Sequence, residues 1–324
     1  MFRVQTGSRL HFGLLGLGEE GDCFPDRQGR ACVPARRFGG VGMMLQSPGV
    51  VLRAEPAAAW SAEGPLAGRV LAFARRFGQG LADEGPPQRL VVEAAPREHV
   101  GLGVGTQLAL ATARAVAGAW GLDLPAAELA RRVGRGERSA LGVHGFAQGG
   151  FVVDAGKRAG TTLAPLAARL AFPPAWRVVL ALPPGVGLHD AGERAAFARL
   201  PGRLATTEAL CRLVLLGLLP ALAEEDLPAF GEALFDFNAR AGELFAPAQG
   251  GLYAHPLTAA LVEFLRGEGV RGVGQSSWGP VVFAVVAADR AAHTAARVAG
   301  FLPPQAEVLV CAGCNHPAQA GPAC

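Results

Sequence analysis

Three glycines at alternate positions, Gly101, Gly103 and Gly105, are followed at once by Thr106 and Gln107. An apolar run at 90–94 leads in, and an alanine- and leucine-rich stretch, read as a helix over 107–120, leads out. Glycine lets the backbone turn without a Cβ penalty and approach a ligand closely. A helix starting there offers unpaired N–H groups and the positive end of its dipole. Together these describe an anion site, suited to phosphate or pyrophosphate. A glycine-rich surface turn is the plain alternative. The spacing is neither a Walker A loop, which needs Gly-Lys-Ser/Thr, nor Gly-x-Gly-x-x-Gly, whose third glycine comes one residue later.

Other residues could serve the same anion. Arg9 and His11 alternate with Leu10 and Phe12. A strand has period two, so the arginine and the imidazole share one face if the apolar pair faces a core. A solvated strand face is the competing reading. Arg36 and Arg37, just before Phe38-Gly39-Gly40, are candidate phosphate clamps or members of a solvated loop. Arg135 and Arg138 flank Gly136-Glu137, where surface ion pairs compete with a ligand role. Gln275, Ser276 and Ser277 lie between glycines and offer donors suited to a sugar or phosphate. Asp154 ends a strand beside glycines; it is a candidate to hold a metal through water, although a strand-end cap is the more frequent role. Glu193 and Arg194 fall in a loop expected to close over the site.

Composition narrows the chemistry. Half of the 324 residues are apolar and 18% are charged, which describes a well-cored globular chain. The net charge of +3 is too small to argue for nucleic acid. Lys157 is the only lysine among 30 basic residues. Lysine-dependent chemistry therefore has one candidate, whereas bidentate recognition of oxyanions by arginine has many. The six cysteines show no disulfide framework, and Cys311-Ala-Gly-Cys314 lacks the second half of a structural zinc site. Reduced thiols and a cytoplasmic location are the expectation. The apolar stretch at 213–222 is interrupted by Gly217 and Pro220 and is expected to be too short to span a bilayer.

Strands and helices must position these groups. Residues 2–15 read as one or two strands. Residues 38–45 and 50–54 read as a hairpin turning at Ser47-Pro48-Gly49. Helices are expected at 69–77, 125–133 and 139–148, with a returning strand at 149–154. Phe172-Pro173-Pro174 reads as a linker dividing lobes 1–172 and 173–324. The second lobe begins on a buried strand at 176–182. Strands separated by helices in both halves argue for two α+β lobes.

The ordered set of motifs resembles a known family. The matching stretches are Ser8-Arg9-Leu10-His11-Phe12-Gly13-Leu14, Phe38-Gly39-Gly40-Val41-Gly42, the glycine loop from Gly101 to Leu108, Gly149-Gly150-Phe151-Val152-Val153-Asp154, Gln249-Gly250-Gly251, and Gly274-Gln275-Ser276-Ser277-Trp278-Gly279-Pro280. They cover nearly the full length and resemble the GHMP kinase superfamily. More closely, they resemble its non-kinase branch, the β-ribofuranosylaminobenzene 5′-phosphate synthases.

The resemblance implies a ribosomal-S5-domain-2-like N-terminal lobe and a ferredoxin-like C-terminal lobe. It implies condensation of phosphoribosyl pyrophosphate with 4-aminobenzoate or 4-hydroxybenzoate, with loss of CO2 and pyrophosphate. The product would enter tetrahydromethanopterin-type cofactor synthesis. The resemblance further implies Mg2+ dependence and a homodimer, without a nucleic-acid or membrane partner. Trp278 then becomes a candidate to stack on the aromatic acid, with a core tryptophan as the alternative. Superfamily kinases often carry an aspartate base near the position of His144, and a loop serine near Val104. Both departures weaken a kinase reading. His144 is a candidate catalytic group or a satisfied interior histidine. An ATP-dependent small-molecule kinase and a non-catalytic phosphate-binding regulator are the competing functions.

Overall fold

The computed structural model describes residues 1–17, 23–25, 28, 31–34, 36–79, 85–185, 187, 197 and 204–322. Two long antiparallel strands, β1 (Phe2–Leu14) and β4 (Gly40–Pro56), carry the first sheet. Between them in sequence, β2 (Cys23–Pro25) and β3 (Ala31–Pro34) pair with each other. The other members of the first sheet are β5 (Ser61–Glu63), β6 (Gln88–Ala94), β7 (Phe151–Asp154) and β8 (Leu166–Leu170), together with a C-terminal strand. β4 serves two neighbours on its second edge: residues 41–43 pair with β7 and residues 51–56 with β6.

The hairpin expected at Ser47-Pro48-Gly49 is not formed. Thr6 faces Val50 while Ser8 faces Leu45, so residues 46–49 bulge out of one continuous strand opposite Gly7. Both halves of β4 find their partner in β1 rather than in each other.

Helix α2 (Val104–Ala119) lies beneath β1 and β4. It is apolar nearly all round and buried from Leu108 to Ala113, as such a helix must be. Helices α1 (Ala67–Gly78), α3 (Ala126–Arg132) and α4 (Leu141–Gln148) pack around it. The strand expected to start at residue 149 begins at Phe151.

The second sheet consists of β9 (Trp176–Leu182), β10 (Gly272–Gln275), β11 (Val282–Ala287) and β12 (Glu307–Cys311). All pairs are antiparallel, in the order β10-β11-β9-β12. With helices between β9 and β10 and between β11 and β12, this is a ferredoxin-like βαββαβ arrangement.

The helices preceding β10 are α5 (Leu204–Leu213), α6 (Leu219–Ala223), α7 (Leu227–Gln249) and α8 (Pro256–Gly267); α9 (Ala291–Phe301) precedes β12. Alternation divides β9 between two cores. Trp176, Val178 and Leu180 join Leu10 and Phe12 of β1 and Phe230, Leu234 and Phe237 of α7. Val179 and Ala181 join Leu261 and Val262 of α8 and Val298 of α9. The division expected at 172/173 falls between the sheets. The last strand, β13 (Gln319–Pro322), returns to pair with β1.

Gly217 and Pro220 do not interrupt the helical run. A π-helical stretch, Val214–Leu218, joins α5 to α6. A helical proline lacks an N–H and crowds the carbonyl four residues back, and the wider i→i+5 turn accommodates this. The 18-residue segment Thr206–Ala223 is thus long and apolar enough, by length and composition alone, to cross a membrane. In this fold Leu210, Val214, Leu218 and Leu222 are buried in the core shared with α7.

Candidate active site

A cavity of about 320 Å³ opens where the lobes meet. Its walls come from β1, the glycine loop, the 134–139 segment, α7, the loop before α8 and the turn after β10.

Hydrogen bonds fix these pieces to one another. The Arg9 N–H donates to the Leu102 carbonyl at 2.9 Å, and the Ser277 N–H donates to the His11 carbonyl at 3.0 Å. The Ser276 hydroxyl accepts from the His11 N–H at 3.1 Å and donates to the Gly101 carbonyl at 2.7 Å. From α7, the Asn238 amide donates to the carbonyls of Phe12 at 2.6 Å and Gln275 at 2.9 Å. Gly101 has φ +103°, and a Cβ there would lie 2.4 Å from the Ser276 carbonyl oxygen. Only glycine permits that approach.

One end of the cavity is built for an anion. Gly103 caps α2 at φ +67°, and a Cβ on it would meet Arg9 Nε at 2.8 Å. A Cβ on Gly105 would lie 3.3 Å from one Arg69 nitrogen and 3.8 Å from one of Arg135. Three guanidinium groups therefore converge on the first turn of α2. Arg69 and Arg135 also stand over the Phe73 ring, at 5.4 and 5.0 Å from its centroid, and Arg69 is ion-paired with Glu98. Unpaired helix N–H groups and planar cations suit an anion with several charged oxygens.

His11 sits between this end and the second lobe, 6% exposed. Burial, and then the neighbouring Arg9 charge, hold its pKa well below the usual 6.5, so the ring is neutral at pH 7. Gly40 leaves room beside it: a Cβ there would lie 2.2 Å from Ser139 Oγ, 2.8 Å from Asp154 Oδ2 and 3.2 Å from His11 Nε2. Asp154 is fully buried, and desolvation pushes its pKa up. Its carboxylate accepts from the Ser139 hydroxyl at 2.7 Å, the Ala140 N–H at 2.9 Å and the Gly156 N–H at 3.1 Å.

Another part of the wall is aromatic. Trp278 packs edge-on against Phe245 and Phe197, with centroids 4.6 and 5.6 Å away, and Arg138 stands 4.7 Å over Phe197. Tyr253, the only tyrosine in the chain, also lines the cavity, and its side chain packs with the outer core of the second lobe. Burial pushes its pKa up to about 12 and keeps the hydroxyl protonated.

The structure brings Arg9, His11, Gly101, Gly103, Gly105, Thr106, Gln275, Ser277 and Trp278 to this cavity. Other expected residues are elsewhere. Gln107 is buried in α2, accepting from the Thr6 hydroxyl and donating to the Gly142 carbonyl. Ser276 is fully buried and its hydroxyl is used between strands. Gln275 reaches the wall, but its amide is committed to Ser277 and Ala254. The His144 ring faces the Ala164 carbonyl at 2.9 Å, as a satisfied interior histidine does. Arg36 donates to the Gly156 carbonyl, and Arg37 lies over Phe38 beside Lys157, away from the cavity wall. Asp154 is a structural cap. Glu193 and Arg194 lie outside the described residues. Sequence reasoning missed Arg69, Glu98, Asn238, Phe245 and Tyr253. Only the apolar pattern around Phe245 carried a signal, and that signal says core.

The resemblance implies Mg2+. Among the described residues no group of three His, Cys, Asp or Glu side chains could hold a metal. Mg2+ needs fewer protein ligands when phosphates complete its shell, usually one or two carboxylates. Glu98 and Glu137 both line the cavity, so its donors fit an ion carried largely by a phosphate ligand.

The fold and this site define the class. Family models described as "GHMP kinases N terminal domain" and "GHMP kinases C terminal" match residues 66–151 and 218–301. Solved structures share the fold: homoserine kinase from Cytophaga hutchinsonii has a TM-score of 0.68 at 16% identity, covering 98% of this chain and 97% of that one. Streptococcus pneumoniae phosphomevalonate kinase has a TM-score of 0.67 at 12% identity, covering 96% and 99%.

Curated relatives narrow the class. The beta-ribofuranosylphenol 5′-phosphate synthase of Methanothermobacter thermautotrophicus is 32% identical, covering 97% of this chain and 96% of the relative. The enzyme of the same name from Archaeoglobus fulgidus is 33% identical, with 88% of each covered. The chain belongs to the beta-ribofuranosylphenol 5′-phosphate synthase family within the GHMP kinase superfamily.

Proposed function

We propose that this chain condenses phosphoribosyl pyrophosphate with 4-hydroxybenzoate or 4-aminobenzoate and releases CO2 and pyrophosphate. The product names of the relatives put 4-hydroxybenzoate first. The observation that carries the reading is one cavity lined both by a triple-arginine helix terminus and by an aromatic wall.

The bond from ribose C1 to the pyrophosphate oxygen breaks, and its electron pair leaves with pyrophosphate. Arg9, Arg69, Arg135 and the first N–H groups of α2 offset the growing negative charge. The ring carbon bearing the carboxylate then bonds to C1. The electron pair of the bond to the carboxylate returns to the ring as CO2 departs. No ring proton has to be removed, so the site needs no strong base. A neutral His11 beside C1 does not oppose the positive charge that builds on the sugar, as an imidazolium would. Glu98 and Glu137 would hold Mg2+, which would add charge stabilisation at the leaving group. A homodimer in the cytoplasm and a place in tetrahydromethanopterin-type synthesis complete the proposal.

The kinase alternative has less support. The Lys157 ammonium donates to the Glu137 carbonyl, and Asp154 is capped by Ser139 and backbone groups. The test is CO2 release from carboxyl-labelled 4-hydroxybenzoate and, separately, 4-aminobenzoate, with phosphoribosyl pyrophosphate and Mg2+. Release that depends on the sugar supports the synthase. ADP formation from ATP with a small alcohol, and no CO2, moves the function to a kinase. Tight pyrophosphate binding with neither activity leaves a regulator.

A further inference from the structure

The His11 ring lines the cavity at 6% exposure and makes no hydrogen bond among the described residues; only its backbone N–H is bonded, to Ser276. Asp154 and Ser139 approach it around Gly40, but they are bonded to each other and to backbone N–H groups. The register with β4 shifts between His11 and Gly13, the kind of bulge that re-aims a side chain. Buried polar groups nearly always have a partner, so an exception that faces a cavity points to a ligand.

The neighbours say what that ligand presents. Arg9 lies two residues back on the same face of β1, about 7 Å along the strand, and reaches the first turn of α2. A group at His11 is therefore next to the anion rather than part of it. Burial beside that guanidinium keeps the imidazole neutral, with one N–H donor and one bare acceptor nitrogen. This pair suits an uncharged hydroxyl, whereas an oxyanion is better matched by the arginines alongside. In phosphoribosyl pyrophosphate the hydroxyl nearest the leaving group is on C2. In the α-anomer both substituents lie on one face of the sugar ring, so one face of β1 can touch both.

We propose that His11 is a specificity-determining residue that binds the sugar 2-hydroxyl, so that the site selects ribose over 2-deoxyribose phosphates. This rests on the synthase reading. The bare nitrogen accepts from the hydroxyl and leaves more electron density on the oxygen beside C1. As in glycoside hydrolysis, such a bond to the 2-hydroxyl strengthens while positive charge builds on the sugar. The ring has no partner among the described residues, so an apolar side chain in its place strands no other buried polar group there.

The test is calorimetric titration of the full chain with α-ribose 1-phosphate and with 2-deoxy-α-ribose 1-phosphate, which differ only in that hydroxyl. Inorganic phosphate serves as the reference anion. The parent is expected to bind the ribose ester about five- to tenfold more tightly than the deoxy ester, the contribution of one neutral hydrogen bond. His11→Leu and His11→Phe are each expected to bring the two esters within about twofold of one another. Their phosphate affinity should match the parent, which establishes that the anion end is intact. A parent without the preference overturns the assignment, and so does a preference that persists in either variant, or failure of both esters to bind the parent. CO2 release in the assay above by a parent without the preference removes the role of His11 and leaves the synthase. The expected preference without CO2 release keeps the sugar subsite and removes the synthase.

Discussion

Replacing Gly105 with alanine separates stability from function. Gly105 is the second residue of α2, and its φ is not in the left-handed region. Alanine there carries no backbone strain and gains helix propensity, worth up to about 1 kcal/mol in a helix interior and less at its end. The added methyl has room, since its nearest neighbour is the flexible end of Arg69 at 3.3 Å. It fills the space that Arg69 and Arg135 enclose. An anion pushed from that turn loses its closest approach to the helix N–H groups and to one guanidinium. Two charge-assisted hydrogen bonds at about 1.5–3 kcal/mol each make a loss of about 3–6 kcal/mol. At about 1.4 kcal/mol per tenfold, kcat/KM falls at least about a hundredfold. Urea unfolding and pyrophosphate release, measured on the same preparation, give both numbers. Gly105→Ala with kcat/KM within about threefold of the parent would refute the placement of the leaving group. A variant less stable than the parent would refute the claim that the methyl has room.

The other predictions follow from groups around the cavity. Ser276→Ala leaves the buried His11 N–H and Gly101 carbonyl without their partner, and urea unfolding should show a loss of about 2–4 kcal/mol. Asp154→Asn turns an amide donor toward the Ser139 hydroxyl or the Ala140 N–H, and should cost about 1–3 kcal/mol by the same assay at pH 7. His11 is neutral when folded and protonates near 6.5 when unfolded, so its contribution is complete above 6.5 and is lost as pH falls through the window below. The parent should therefore lose up to about 1.4 kcal/mol per pH unit in that window relative to His11→Gln, measured by urea midpoints from pH 7 to pH 5. Parallel curves would show that the folded ring titrates as the unfolded one does and would refute the lowered pKa.

What could be read from the sequence was whatever is local in the chain. The glycine loop announced itself because positive φ and close approach leave a signature no other residue can supply: Gly101 meets the Ser276 carbonyl, and Gly103 meets Arg9. Arg9 and His11 could be placed on one face because strand period is rigid. Arg69 could not be found. On α1 it looks like any solvent-facing arginine, and its role appears only when α1 packs beside the first turn of α2. The polar residues of the late loop misled for a related reason. Hydroxyl and amide groups between glycines suit a ligand, but they suit a second strand equally well. Ser276 and Gln275 serve β1, the glycine loop and the 254 backbone, because joining two lobes buries backbone groups that need partners. Asp154 and His144 show the same competition: each is a chemically capable group whose nearest unsatisfied donor or acceptor belongs to the chain itself. In the late loop Ser277 and Trp278 line the cavity, while the side chains of Gln275 and Ser276 beside them hold the walls together.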